Sequence, residues 1–492
     1  MLNIQINSRV MLIPPLPQVV SDELEALVSY KHRKYLRGKE AWAKFGQSSG
    51  NEIVKKTFFK QEGGFIAIPA GFMDLLSKLL SKFDLQHQFT FHGFSSAAPN
   101  WKNLSTSTKF RYPQLEHLQE ILKFPFGGLD AAPGYGKSFI ISILCQLFRD
   151  YRVDITTESV EVCRTLEEYL ISELGEDMVG FVGDGTNKPK QITIYTTGSL
   201  HKSDGEADVL LVDEVHEVVT EKACPKFSVY KKARRYWFSA NPWDRADNSS
   251  IRVEAMFGKT RAEFPFQKCV EHGLVANIEV NYLPFFMDFD PIGDESDPTK
   301  MARFGIWRNE KRNAFIAEYC KKQIPEFDQT LILVQSIEHL AHLAKFLPEY
   351  KVAFGAGATT IKEASYWASQ GLIPADSCEN RKEKNQNLRV AFSKNKLKKV
   401  IVTSIWDTGV NFPDLAGVFR TDPFAAGVIK DTQAPGRTSR IIKSDGTIKE
   451  MGRLYTLLDM FNKPLYSKEQ RQRTNYRSQG WEEVGWLSWE RQ

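Results

Sequence analysis

Ala131-Ala132-Pro133-Gly134-Tyr135-Gly136-Lys137-Ser138 is the stretch on which the fold turns. It follows a strand pattern, Gly128-Leu129-Asp130, and opens an apolar helix pattern, Phe139-Ile140-Ile141-Ser142-Ile143-Leu144. A glycine-rich turn between strand and helix lets backbone N–H groups curl around an anion, because the first N–H groups of a helix lack intrahelical partners. Lys137 adds a point charge suited to β- and γ-phosphates, and the Ser138 hydroxyl is a ligand type for Mg²⁺. The general phosphate-loop pattern opens on glycine, whereas Ala131 stands there in this chain. Alanine makes the same turn provided its φ stays negative. Ala131, Pro133, Gly134, Tyr135, Gly136, Lys137 and Ser138 are therefore the expected nucleotide-binding residues.

The second decisive stretch lies downstream, Val209-Leu210-Leu211-Val212-Asp213-Glu214-Val215-His216. Four apolar residues form a buried strand that delivers two acids at its carboxyl end, the end at which open α/β sheets hold ligands. Asp213 suits Mg²⁺ held through its water shell, with Ser138 as the other protein ligand. Glu214 suits the orientation and deprotonation of a water attacking the γ-phosphate. An acidic pair at a strand end is otherwise a solvated turn, and its place downstream of a phosphate loop favours the catalytic reading.

Around these two stretches, short apolar runs alternate with helical patterns: Phe126–Ala131, Arg152–Thr156, Gln191–Thr196, Val209–Val212 and Tyr236–Ser239. The alternation restarts at Thr330-Leu331-Ile332-Leu333-Val334, an amphipathic helix over Ile337–Leu347, and Val400-Ile401-Val402-Thr403. Strands buried on both faces and separated by helices predict parallel sheets, here two α/β units in tandem. Before them, residues 1–105 hold strand-like runs and one amphipathic helix near Gly71–Phe83, a small α+β accessory domain. Its basic run, Lys31-His32-Arg33-Lys34-Tyr35-Leu36-Arg37, reads either as a phosphate contact or as a solvated helix face. The expected organisation is 1–105 accessory, 106–290 first α/β domain, 291–462 second α/β domain, and a basic, aromatic tail at 463–492 with Arg471, Arg473, Arg477, Tyr476, Trp481 and Trp486.

Composition sets outer bounds. The 492 residues are 42% hydrophobic and 25% charged, as in globular proteins, and the net charge of +5 permits a polyanionic partner without requiring one. Six dispersed cysteines (Cys145, Cys163, Cys224, Cys269, Cys320, Cys378) form no C-x-x-C pair, which argues against zinc and for reduced thiols in the cytoplasm. No run approaches the roughly 18 apolar residues of a membrane helix, and the start lacks a secretory pattern.

The order of Lys137-Ser138, Asp213-Glu214-Val215-His216 and Ser239-Ala240-Asn241 resembles motifs I, II and III of superfamily 2 helicases, with motif II in its DEAH/DExH form. Thr403 through Gly409-Val410-Asn411 resembles motif V, and Gln433-Ala434-Pro435-Gly436-Arg437-Thr438-Ser439-Arg440 resembles motif VI, Q-x-x-G-R-x-x-R. Arg111-Tyr112-Pro113-Gln114 resembles the R-x-x-Q element that reads adenine. The resemblance covers about residues 110 to 460, and the layout with a small N-terminal domain is similar to that of phage branch-migration helicases.

The resemblance implies tandem RecA-like domains and a motor that uses ATP and Mg²⁺. It implies adenine contact by Gln114, with Tyr112 or Phe110 stacking, and cross-cleft chemistry by Gln433, Arg437 and Arg440. Gly409 falls in the nucleotide-binding set, and His216, Ser239, Ala240 and Asn241 would relay nucleotide state to the strand-binding surface. Thr156, Thr157, Thr196, Thr197 and Thr403 are candidate backbone contacts for nucleic acid, or strand-end caps. Asn241 replaces the usual threonine of motif III, and Pro113 stands where an aromatic is common. The expected partner is branched or duplex DNA tracked along one strand, by a monomer in a bacterial or phage-infected cell. RNA, a restriction or repair complex, and a non-motor ATP-binding scaffold are the alternatives.

Overall fold

The structure, a computed structural model, describes residues 1–37, 39–45, 49–240, 242–243, 250–326, 328–406, 412–423, 432 and 435–484. In the N-terminal segment, alternation produces short strands: β1 (Leu2–Ile6), β2 (Val10–Ile13), β3 (Ser29–Arg37), β4 (Ser49–Thr57), β5 (Lys60–Glu62), β6 (Phe65–Pro69) and β7 (His87–Phe91). Ile4 and Ile6 of β1 point inward while Asn3 and Gln5 face out, the period-2 signature of a half-buried strand. The helix Met73–Lys82 covers that sheet with Met73, Leu76, Leu79 and Leu80, spaced by three and four residues along one stripe. The sheet order is β5-β6-β2-β1-β7, whereas β3 and β4 pair only with each other. The basic run at 31–37 thus forms a strand, not a helix face.

The first large sheet contains β8 (Phe126–Ala131), β9 (Val153–Thr157), β10 (Val179–Gly183), β11 (Thr186–Lys188), β12 (Ile192–Thr196), β13 (Val209–Asp213), β14 (Arg234–Ser239) and β15 (Thr260–Phe264). Their order is β11-β10-β12-β9-β13-β14-β8-β15, parallel except for β11. Every residue of β9, β12 and β13 is buried, as sheets covered by helices on both faces demand. Register places Asp213 beside Phe238, and Ser239 beside Asp130, at one carboxyl edge.

The second large sheet is β16 (Asn277–Phe285), β17 (Gln329–Leu333), β18 (Lys351–Ala353), β19 (Lys399–Val402), β20 (Leu415–Arg420), β21 (Met451–Asp459) and β22 (Glu482–Val484). Its order is β18-β19-β17-β20-β21-β16-β22, all parallel. The fold is α/β: two RecA-like parallel-sheet domains in tandem with a small N-terminal α+β segment. Two compact units result, Met1–Ala132 with Gly136–Phe264, and Pro133–Tyr135 with Pro265–Gln492. The second sheet thus begins at β16, upstream of residue 291, the expected start of the second α/β domain. β16 pairs with β21, and that long-range pairing leaves no local mark. Among the described residues, no helix is long and apolar enough to cross a membrane.

The tail is part of the second sheet. Glu483 on β22 accepts paired bonds from Arg473 (2.8 and 2.9 Å) and Arg477 (2.9 and 2.7 Å), and these guanidiniums hold its carboxyl down at about 2. Trp481 is buried and stacks on Tyr476 at 5.4 Å. Trp486 lies outside the described residues.

The core of this unit holds a charged pair. Arg312 and Asp459 are both fully buried and share bonds of 2.8 and 2.9 Å. Beside them, burial and then Asp459 push the Glu469 carboxyl well above its ordinary range, and its Oε2 accepts a 2.7 Å bond from the Asp459 N–H. Arg312→Met leaves the Asp459 charge buried without its cation, which costs about 3–5 kcal/mol. Denaturant unfolding of the second unit is expected to shift by that amount, and a shift under about 1 kcal/mol would mean that the pair is dispensable.

Candidate nucleotide-binding and hydrolysis site

The loop after β8 bends through Gly134 (φ 87°) and Gly136 (φ 101°), a backbone region that side chains with a Cβ rarely enter. Ala131 is fully buried and stays outside that region, so alanine serves where the general pattern has glycine. Lys137 begins the helix Lys137–Leu147, whose N-terminal N–H groups have no side-chain cap. The loop therefore presents donors and a cation together, the arrangement that binds phosphate. Lys137 Nζ reaches the Ala131 carbonyl at 3.2 Å and lies 3.8 Å from Glu214. Ser138 is exposed at the helix start, and Tyr135 is buried.

The carboxylates come from the end of β13. Asp213 is buried, and burial, then the neighbouring Glu214, raises its carboxyl above the ordinary range, while Lys137 pulls the other way. A buried acid whose burial outweighs the pull of its neighbouring cation, on the same unit as a hydroxyl at a helix start, fits Mg²⁺, which keeps waters and phosphate oxygens for its remaining positions. Asp213 and Ser138 would hold that ion, and it would neutralise charge on the β- and γ-phosphates. Glu214 sits in the left-handed region (φ 47°, ψ 52°), unusual for a residue with a side chain and a form of strain that clusters at functional sites.

Glu214 is wired to the next strand. Ser239, the last residue of β14, donates to Glu214 at 3.4 Å and is also hydrogen-bonded to His216 Nδ1. His216 is almost fully buried, with Nδ1 3.5 Å from Glu214 and Nε2 3.8 Å from Glu217. The residues resembling motifs II and III thus form one connected set, and Ala240 follows directly. Asn241 lies outside the described residues.

On the opposite side of the loop, Gln114 is buried and accepts a bond from the Arg111 N–H at 2.9 Å. A Cβ on Gly136 would stand 2.8 Å from Gln114 Nε2 and 3.0 Å from the Arg111 guanidinium, so this pair packs against the loop itself. Tyr112 is exposed, whereas Phe110 is held edge-on by Phe139 at 5.7 Å. Of the two aromatics, Tyr112 is the more exposed.

The strand-end threonines divide by burial. Thr156 and Thr157 are fully buried and present no surface for a phosphate; Thr196 is nearly so. Thr197 caps Thr157 through a 2.8 Å bond, which ties the ends of β9 and β12. Thr403 is mostly buried at the end of β19 in the second unit. Also in that unit, Arg437 begins a short turn, Arg437–Ser439, and Arg440 is exposed just beyond it. The turn lies so close on β21 that a Cβ at Gly452 would meet Thr438 Oγ1 at 2.3 Å. Gly409 and Gln433 lie outside the described residues.

Three positioning residues escape a local reading. Lys226 donates to the Thr197 and Gly198 carbonyls at 2.8 and 3.2 Å and holds the turn after β12. Gly452 admits the arginine-bearing turn. Lys449 donates to the Leu415 carbonyl at 2.7 Å, and burial, then Lys443 and Arg440, pushes its amine down to about 7. A lone lysine or glycine in sequence carries no sign of such distant partners.

No family model matches the chain, and none of the curated proteins matches its sequence. Among solved structures it is similar to that of T4 UvsW, at 12% identity over 98% of each chain with a TM-score of 0.41. A structure of the UvsW helicase from Bacteriophage T4 is 13% identical over 53% of this chain and 99% of its own, with a TM-score of 0.40. The ATP-dependent Type ISP restriction-modification enzyme LlaBIII bound to DNA is 13% identical over 77% of this chain and 31% of its own, with a TM-score of 0.50. The chain shares its fold with the matched part of that restriction-modification enzyme.

Proposed function

We propose that this protein is an ATP-driven motor that unwinds or remodels duplex and branched DNA in replication, recombination or repair. The observation that carries the reading is the connected set Lys137–Glu214–Ser239–His216 at the carboxyl edge of the first sheet. Loop N–H groups and Lys137 bind and orient the triphosphate. Glu214 takes a proton from the attacking water as the bond to the γ-phosphorus forms and ADP leaves with the bridging oxygen. Gln433, Arg437 and Arg440 of the second unit are assigned to charge neutralisation in the same reaction. The loss of the γ-phosphate changes what Glu214 faces, and Ser239 and His216 carry that change to the next strand end. A bare ATP-binding scaffold has no use for such a bridge.

The test is the rate of ATP hydrolysis with no polymer, single-stranded DNA, a four-way DNA junction, and RNA. DNA, and the junction above all, is expected to raise the rate at least about tenfold, a change of about 1.4 kcal/mol in barrier. Stimulation by RNA alone would overturn the choice of DNA. Equal rates in all four would leave an ATPase that is not a motor.

A further inference from the structure

Nine residues of β3 pair with nine of β4, which makes a two-stranded ribbon roughly 30 Å long at about 3.4 Å per residue. Its register sets Tyr30 opposite Lys56, His32 opposite Val54 and Lys34 opposite Glu52; the intervening pairs are Lys31–Lys55, Arg33–Ile53, Tyr35–Asn51 and Arg37–Ser49. Paired residues share a face, so the ribbon has two distinct sides.

One side is docked. His32 Nε2 lies 2.8 Å from Glu221, and Lys56 on the other strand pairs with the same carboxylate. The Arg252 guanidinium sits 5.5 Å from the Tyr30 ring, and Glu52 pairs with Lys44 of the helix Lys39–Phe45. Residues 52, 54 and 56 are accordingly half-buried, whereas 53, 55 and 57 are exposed.

The other side carries Lys31 and Lys55, both exposed, with Ile53 next to them 65% exposed. By register this row contains no acid. The nearest carboxylate to Lys55 is Glu25, at 3.7 Å on the helix Gln18–Leu27. Lysines directly opposite each other repel and weaken a ribbon that, with two strands, has little stability to spare. A face that served only to hold the ribbon together would place an acid at one of those positions. A polyanion removes the repulsion instead.

We propose that this outer face of the β3–β4 ribbon is a contact surface for duplex DNA. Lys31 and Lys55 meet phosphate oxygens, and Ile53 meets the groove wall between them. A two-stranded ribbon fits the B-form major groove, about 12 Å wide, whereas the deep, narrow major groove of A-form RNA does not admit it. The docked side ties the ribbon to Glu221, which follows the Asp213-Glu214 segment in the chain and lies in the same compact unit. The inference rests on the nucleic-acid motor reading for its biological meaning, but its test does not depend on hydrolysis.

Full-length protein with Lys31→Gln and Lys55→Gln is compared with wild type for equilibrium binding of a blunt 30-base-pair DNA duplex over a range of salt. Two lost phosphate contacts are expected to make the slope of log affinity against log salt shallower by about 1.8, with roughly tenfold weaker binding at low salt. Lys31→Arg with Lys55→Arg is expected to retain affinity and slope, and polymer-free ATP hydrolysis is expected to stay unchanged in both variants. Unchanged slope and affinity in the glutamine variant would overturn the inference, as would an equal loss in the arginine variant or equal dependence on these lysines for duplex RNA. If wild type hydrolyses ATP at one rate with and without polymer, the motor reading fails, and the slope still decides whether this face binds DNA.

Discussion

Glu214→Gln is expected to lower ATP turnover by about 10²–10⁴-fold while nucleotide binding is retained. The substitution keeps the size of the side chain and one acceptor oxygen. It removes the only feature that lets this group take a proton from water. The left-handed backbone at Glu214 and the Ser239 bond place the carboxylate beyond the end of β13, 3.8 Å from Lys137. Because the amide can still bond to Ser239, the backbone is expected to stay in place, so the defect falls on the chemical step. Phosphate release at saturating ATP, together with equilibrium binding of a fluorescent ATP analogue, separates the two quantities. Near-normal turnover would remove Glu214 from its role as base. A loss of binding as large as the loss of turnover would give it a structural role instead.

Lys137→Ala is expected to behave differently, with binding and turnover failing together. Truncating one member of a desolvated charge pair costs about 2–5 kcal/mol, which corresponds to roughly 30-fold to several-thousand-fold in affinity. A second effect adds to the first. Lys137, ahead of the Glu214 backbone N–H, opposes the upward displacement of the Asp213 carboxyl, so its removal makes the acid harder to ionise and Mg²⁺ harder to hold. Binding titrations at fixed nucleotide and varied Mg²⁺ should therefore show a rightward shift in Lys137→Ala and none in Glu214→Gln. Equal Mg²⁺ dependence in the two variants would mean that Lys137 does not influence the metal position.

The parts of this site that were legible in the sequence are those whose chemistry is local. A phosphate loop must compress glycines, a lysine and a hydroxyl into a few residues, because one turn of backbone has to surround one anion. Four apolar residues before Asp213-Glu214 likewise announce a buried strand with acids at its exit. The Thr156-Thr157 pair shows the limit of that kind of reading. A strand-end threonine has the right chemistry for a phosphate contact, yet both are fully buried, since β9 lies inside the sheet between β12 and β13. The same limit applies to the basic run at 31–37. Its composition was plain, but whether it formed a helix or a strand depended on a partner, β4, with which it shares a register.

By itself, then, the sequence determined the α/β class, the glycine-bearing turn between strand and helix, the acidic pair at a strand end and the tandem repetition of the strand–helix pattern, because each is written in neighbouring residues under short-range steric and hydrophobic rules. Tertiary structure alone decided that Ser239 joins Glu214 to His216, that Gln114 and Arg111 support the loop at Gly136, that β16 opens the second sheet, and that Arg473 and Arg477 are taken up by Glu483. In these contacts a residue's partner comes from another element of the fold. Strand order and register choose that partner, and they minimise the free energy of the packed sheet as a whole rather than of any segment within it.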